Sequence, residues 1–233
     1  MVINITSDLK AYCKTAGADL VGIADLEPMR KGLPVIPQNL LDPYIFGISI
    51  GICLKDEIIE GISDCPTPEY AQHYKNINSI LDGVASQIVQ WIVEKGLTAK
   101  VIPASLLIDE INLLGNISHK AIAQMAGLGW QGKSLLIINP KYGPRFRLVT
   151  ILTDMPLIPD HSIQNRCGNC AECVKACPAS AIRNSSTDSH YSTRDCAIDL
   201  KRCNEKLSEF KARPNIGAGI CGVCIKVCPY GKG

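Results

Sequence analysis

No stretch of this sequence stays apolar for the roughly 18 to 20 residues that a membrane-spanning helix needs, although 46% of its 233 residues are hydrophobic. The opening segment MVINITSDLKAYCKTAG lacks the basic flank and apolar stretch of a secretory signal. Neither charge is in surplus: 24 Lys and Arg against 22 Asp and Glu leave a formal +2, which gives nucleic acid no broad electrostatic footprint. Short basic clusters, Lys141 with Arg145 and Arg147, and Lys201 with Arg202, read as solvated faces. Internal repeats and low-complexity tracts are missing as well. The absences point to a cytoplasmic globular chain, with neither a membrane nor a nucleic acid as the expected partner.

Cysteine, by contrast, is abundant. Of the twelve, Cys13, Cys53 and Cys65 are scattered, whereas nine fall between Cys167 and Cys228. In a cytosolic chain such clustering indicates metal binding and not disulfides. The three scattered thiols read as bystanders, since free cysteine packs as a small apolar residue.

The rest of the chain alternates between helix and strand signals. Ser7 can cap a helix over Asp8 to Ala16, followed by a strand at 20–24. The Pro-rich stretch 28–43 reads as loop, and IFGISIGICL (45–54) as a buried strand. Tyr70, Tyr74, Ile77, Leu81, Val84, Ile88 and Trp91 recur at spacings of four and three, the stripe of a long amphipathic helix ending at Gly96. AKVIPAS (99–105) suggests a strand, SHKAIAQMAG (118–127) a short helix, and SLLIIN (134–139) and FRLVTILT (146–153) two strands joined by a turn. The pattern predicts an α/β (α+β) domain over 1–160 and a compact metal module over 161–233.

Residues 127–134, GLGWQGKS, match the nucleotide-binding pattern G-x-x-x-x-G-K-[ST], and Asp154 ends an apolar run as a magnesium-binding aspartate would. The flanks argue against it. Such a loop must leave a strand and enter a helix, so that free N–H groups and the helix dipole meet the phosphates. Here a helix precedes and a strand follows. The same reversal removes Gly127, Gly129 and Gly132 as a dinucleotide fingerprint, leaving a glycine loop that lets backbone approach a flat or bulky ligand.

CGNCAECVKACP sets Cys167, Cys170, Cys173 and Cys177 before Pro178, the C-x2-C-x2-C-x3-C-P run of bacterial ferredoxins. Three of these thiolates wrap one 4Fe-4S cluster while the fourth serves the other. The second run, CGVCIKVCP, supplies Cys221, Cys224 and Cys228 and is one cysteine short. By the ferredoxin exchange rule Cys167, Cys170, Cys173 and Cys228 hold one cluster, and Cys177, Cys221 and Cys224 hold the second together with Cys196 or Cys203. Spacing alone does not choose between those two.

The segment HKAIAQMAGLGWQGKSLLIINPKYGPRFRLVTILTDMPL, then CGNCAECVKACP, the lone cysteine of YSTRDC and CGVCIKVCP, resembles the core of the epoxyqueuosine reductases and the corrinoid-dependent reductive dehalogenases. The resemblance implies a nitroreductase-like mixed sheet that binds cobalamin with its lower base detached, followed by a ferredoxin-like two-cluster module. It also implies Cys196 as the eighth cluster ligand, and Gly127, Gly129, Trp130, Gly132, Ile137, Ile138 and Asn139 as corrin-lining residues. In those reductases a proton-donating aspartate lies about thirteen residues before the alanine of AGLGW, a position filled here by Leu113, with Asp109 and Glu110 nearby. A helical-repeat tail and a twin-arginine signal are not in the sequence, which points away from epoxyqueuosine-tRNA and from respiratory dehalogenation.

Three functions follow as expectations. The first is a corrinoid-dependent reductase of a small molecule, fed by an external low-potential donor, with Asp109, Glu110, Tyr70, Tyr74 and Lys133 as candidate proton donors. The second is an electron-transfer protein that reactivates a partner corrinoid protein. In the third, the pocket holds flavin or nothing.

Overall fold

The protein's structure, a computed structural model, is described for residues 2–110 and 112–232, with side chains from residue 4 onward. In chain order the elements are α1 (Val2–Thr15), β1 (Leu20–Asp25), α2 (Glu27–Arg30), β2 (Phe46–Cys53), α3 (Asp56–Glu60), α4 (Pro68–Val93), β3 (Ala99–Ile102), α5 (His119–Met125), β4 (Trp130–Gln131), β5 (Ile137–Ile138), β6 (Phe146–Thr153), α6 (Glu172–Lys175), a 3-10 turn (Arg194–Cys196), α7 (Leu200–Lys211) and α8 (Val223–Lys226). They form two compact units that interleave along the chain. The first gathers 1–52, 78–128 and 147–163; the second gathers 53–77, 129–146 and 164–233. Thus 53–77 and 129–146, which the sequence pattern groups with the first 160 residues, fold with the cysteine-rich segment, because their packing partners lie there and not among their chain neighbours.

The first unit is built on a four-stranded sheet in the order β1-β2-β6-β3. β1 pairs antiparallel with β2, Gly22 opposite Ser49, and β3 pairs antiparallel with β6, Ala99 opposite Thr153. Ile45 N–H to Thr153 C=O (2.9 Å) and Leu54 N–H to Arg145 C=O (2.8 Å) bracket the β2–β6 pair in the same antiparallel sense. β2 is buried along nearly its whole length, which explains why its sequence is continuously apolar and not alternating. Ala24, Leu26, Met29, Leu41, Ile122 and Leu152 share one core cluster. After β6 the chain is pinned by Asp160, whose carboxylate accepts from Lys10 Nζ at 2.6 Å and from the Ile23 N–H at 2.9 Å.

α4 matches the stripe read from its spacing: Tyr70, Ile77, Leu81, Val84 and Ile88 are all buried, while Trp91 lies at the edge, stacked on Tyr12 at 5.3 Å. α5 starts where Ser118 accepts from the Ala121 N–H. α1 differs from expectation: it begins at Val2, because Leu9 and Cys13 extend an apolar face upstream through the buried Thr6, so Ser7 is an exposed residue inside it and not its cap. The run 134–139 contributes only Ile137 and Ile138, paired with Trp130 and Gln131 in a separate two-stranded sheet. Among the described residues no helix is long and apolar enough to cross a membrane.

Candidate functional site

In the second unit the cysteines are carried by two short helices and the turns around them. α6 holds Cys173, with Cys167 and Cys170 before it and Cys177 just after; α8 holds Cys224, between Cys221 and Cys228. The first turn is set by Asn165. Its Oδ1 accepts from the Cys167 N–H at 2.8 Å, and its Nδ2 donates to the carbonyls of Gln131 (3.0 Å) and Thr187 (2.7 Å). Ahead of α8, Gly222 sits at φ +86°, and a Cβ there would lie 2.5 Å from Ile62 Cδ1 and 2.8 Å from Tyr70 Cε1. Only glycine satisfies both the left-handed turn and that close approach.

Five thiols, Cys167, Cys170, Cys173, Cys224 and Cys228, line one cavity. The electrostatic neighbours of each thiol sort them further. Burial pushes Cys228 up to about 11, and the thiols that add to this are Cys167, Cys173 and Cys170. Burial likewise pushes Cys221 up to about 11, with Cys203, Cys177 and Cys65 adding to it. Cys224 is raised by burial and then by Cys221, Cys203, Cys173 and Cys177. Cys228 thus neighbours Cys167, Cys170 and Cys173, while Cys221 and Cys224 share Cys177 and Cys203, with Cys65 also beside Cys221 and Cys173 also beside Cys224. Among the described residues, no three His, Cys, Asp or Glu side chains form a group suited to a single metal ion. A donor set made only of sulfur suits iron–sulfur clusters. Thiols kept protonated by desolvation must release those protons when metal binds.

The structure places the two candidates for the eighth ligand in different surroundings. Cys196 is exposed, and its sulfur is 3.3 Å from Thr193 Oγ1 and 3.6 Å from Ser192 Oγ. Cys203 instead packs with Cys173, Cys177 and Cys224 against a core of Leu135, Ala181, Ile182, Tyr191, Ala197 and Ile198. The reason is α7, whose first turn is capped by Asp199 accepting from the Arg202 N–H and which carries Cys203 into that core. Nothing in the spacing of the cysteines announces this helix.

The GLGWQGKS loop lies against the same cavity. No helix follows it; Leu135, at φ +62°, turns the chain toward β5, as the objection to a nucleotide loop requires. A Cβ on Gly129 would sit 2.2 Å from the Ile138 carbonyl oxygen, and one on Gly132 would sit 2.7 Å from Ile138 Cγ1. The glycines thus admit β5, and Gly132, Lys133, Ser134 and Ile138 border the thiol cavity. Trp130 is 1% exposed and its indole N–H donates to Cys167 Sγ at 3.4 Å. Lys133 is buried, donating to the Cys170 carbonyl and to Asn184 Oδ1, both at 2.9 Å.

The residues expected to line a corrin are distributed over both units. Trp130, Ile137, Ile138 and Asn139 are buried in the second unit, and Asn139 Oδ1 caps its own turn by accepting from the N–H groups of Lys141 and Tyr142. Gly127 belongs to the first unit, at the end of α5, where a Cβ would meet the His161 carbonyl oxygen at 2.5 Å.

The proton-donor candidates are not gathered in one unit. Asp109, Glu110 and Leu113 belong to the first; Tyr70, Tyr74 and Lys133 belong to the second. The Asp109 carboxylate is spent on its own turn, accepting from the Asn112 N–H at 2.8 Å and from Asn112 Nδ2 at 2.7 Å. Glu110 is exposed, and Leu113 holds φ +53° in the same turn. Tyr70 is buried against Gly222, a core role. Sequence reasoning missed Asn165; its one signal is an Asx residue two positions before the first cysteine.

Residues 166–231 match the family model described as a 4Fe-4S double cluster binding domain, so this segment is an iron–sulfur domain for two clusters. The resemblance read from the sequence also holds. An epoxyqueuosine reductase of Bacillus anthracis is 33% identical over 127 residues, 51% of this chain and 31% of the relative. In fold, the chain is similar to an epoxyqueuosine reductase solved with an epoxyqueuosine-modified tRNA-Tyr stem loop, at TM-score 0.69 and 21% identity, covering 100% of this chain and 67% of that one. It is similar, too, to a reductive dehalogenase whose structure suggests a mechanism for B12-dependent dehalogenation, at TM-score 0.74 and 22% identity, covering 97% and 31%. The chain thus spans about a third of the curated relative and of the dehalogenase.

Proposed function

We propose that this chain is an iron–sulfur reductase module, taking electrons singly from an external low-potential donor and delivering them to a reducible acceptor. The observation that carries it is the gathering of eight thiols within the 166–231 segment, Cys167, Cys170, Cys173, Cys224 and Cys228 around one cavity, Cys203 packed with Cys173, Cys177 and Cys224, and Cys221 beside Cys203 and Cys177. Cys167, Cys170, Cys173 and Cys228 hold one cluster; Cys177, Cys203, Cys221 and Cys224 hold the other. Such clusters, when bound, supply one-electron transfer at low potential, about −400 mV with a wide spread set by hydrogen bonds and exposure. The chain's own work is to exclude water from the sulfurs by burial, to orient Cys167 through Asn165, and to bring the GLGWQGKS loop against the cavity.

A corrinoid bound by the first unit, reducing a small molecule, is the finer form of this proposal. Sequence likeness to an epoxyqueuosine reductase and fold likeness to a protein described as B12-dependent support it. Leu113 at the acid position and the engaged carboxylate of Asp109 favour the second reading, a carrier that hands electrons to a partner corrinoid protein. Titrating cluster-loaded protein with cob(II)alamin under electron paramagnetic resonance separates them. A base-off cobalt signal at near-stoichiometric ratio supports a resident corrinoid; a free-cobalamin spectrum with intact clusters supports the carrier. The even charge balance argues against a nucleic-acid substrate, but a tRNA stem loop accompanies one protein of similar fold, so binding of such a stem loop is the matching assay.

A further inference from the structure

We propose that Trp130 and Lys133 set the reduction potential of the cluster held by Cys167, Cys170, Cys173 and Cys228; this rests on the ligand assignment above. The indole N–H of Trp130 is directed at Cys167 Sγ, 3.4 Å away. The ring cannot turn that donor toward water. It is 1% exposed and is held edge-on by Tyr230, at 4.8 Å between centroids and 81° between planes. Lys133 is 6% exposed and lines the same cavity, and the two oxygens its ammonium donates to, Cys170 O and Asn184 Oδ1, are both neutral. Its positive charge is therefore left to act on the thiolates around it.

Reduction adds one electron to a group that already carries the negative charge of its thiolates, with no bond made or broken. An N–H donor on a ligand sulfur and a buried cation at the cavity wall both favour the more negative state, so both raise the potential. The low polarizability of the buried site strengthens the effect of each. This gives the glycines of the loop a purpose. A Cβ on Gly132 would stand 3.5 Å from Cys167 Sγ and 2.7 Å from Ile138 Cγ1, so a bulkier residue would push the indole and the ammonium off the sulfurs.

The test is an anaerobic redox titration of the full cluster-loaded chain with dithionite, which supplies the electrons, followed by electron paramagnetic resonance. Trp130→Phe, Lys133→Met and Lys133→Arg are compared with the parent. One of the two midpoint potentials is expected to move to more negative values in Trp130→Phe and Lys133→Met, the other staying put. In Lys133→Met the reduced-to-oxidised ratio at fixed poise should fall about tenfold, about 59 mV for a one-electron couple, and Lys133→Arg should restore it. Unchanged midpoints in variants that retain their iron overturn the proposal. Should a variant lose iron, the parent protein carrying 15N-labelled indole decides: pulsed resonance of the reduced cluster should show coupling to the indole nitrogen, and no coupling overturns the Trp130 contact. Failure of the ligand assignment is seen separately, as a parent iron content well below about eight atoms per chain.

Discussion

Among the thiols around Cys221, Cys203 adds most to the burial that keeps Cys221 protonated, ahead of Cys177 and Cys65. For Cys224 it comes second, after Cys221 and ahead of Cys173 and Cys177. We therefore propose Cys203 on helix α7, packed with Cys173, Cys177 and Cys224, as the eighth ligand, and not Cys196 on the exposed 3-10 turn. Cys203→Ala should cut iron toward half of about eight atoms per chain, whereas Cys196→Ala and Cys65→Ala should leave it unchanged. Loss of iron in Cys196→Ala alone would return the assignment to the lone cysteine of YSTRDC.

Gly222→Ala tests the packing that presents Cys221 and Cys224. The new methyl meets Ile62 and Tyr70 in a left-handed turn at φ +86°, at a cost of about 1 to 2 kcal/mol for the backbone and about 1 to 3 for overpacking. Melting should fall by several degrees, and iron should be lost first from the cluster nearest the substitution. A variant with full iron and parental melting would show that Tyr70 yields freely.

His119 makes the first unit sensitive to acid. Its Nε2–H donates to the Pro103 carbonyl at 3.2 Å and its Nδ1 accepts from the Thr150 hydroxyl at 2.8 Å, so the ring is neutral, and burial lowers its pKa to about 4. The residue as a whole keeps some exposure, but both ring nitrogens are engaged by protein groups. Between that value and the unfolded value of about 6.5 the unfolded chain binds more protons, so stability rises with pH. The contribution is full above about 6.5 and is lost as pH falls toward 4, by about 3 kcal/mol at most. His119→Gln should flatten the pH dependence of melting in this window; an unaltered slope would contradict the assigned tautomer and burial.

Arg145 predicts an asymmetry. Its side chain is 4% exposed, while its partners Asp56, at 2.7 Å, and Glu60, at 2.5 Å, are 67% and 51% exposed, and its Nε is buried without a hydrogen-bond partner. Arg145→Met lets both carboxylates rehydrate. The double change Asp56→Asn with Glu60→Gln strands a buried guanidinium, a loss of about 3 kcal/mol or more. The double variant should melt well below Arg145→Met. Equal melting would mean that the guanidinium reaches water.

The C-x2-C-x2-C-x3-C-P run, the α4 stripe and the helix-then-strand order around GLGWQGKS were legible because each rests on local spacing. The interleaving of the two units was not, since 129–146 joins the cysteine segment through contacts such as Trp130 with Cys167 and Gln131 with Asn165, which no periodicity encodes. The choice of Cys203 over Cys196 likewise depends on where α7 folds. Trp130 was legible as special but not as a donor to Cys167, because the direction of an indole N–H is decided by tertiary packing around it.

The central claim is two four-iron clusters in this chain. Iron and acid-labile sulfide, counted after anaerobic reconstitution together with the electrons taken up on reduction, test it most directly. The account predicts about eight irons, about eight sulfides and two electrons per chain. About four irons and one electron, or zinc bound without sulfide, would contradict it.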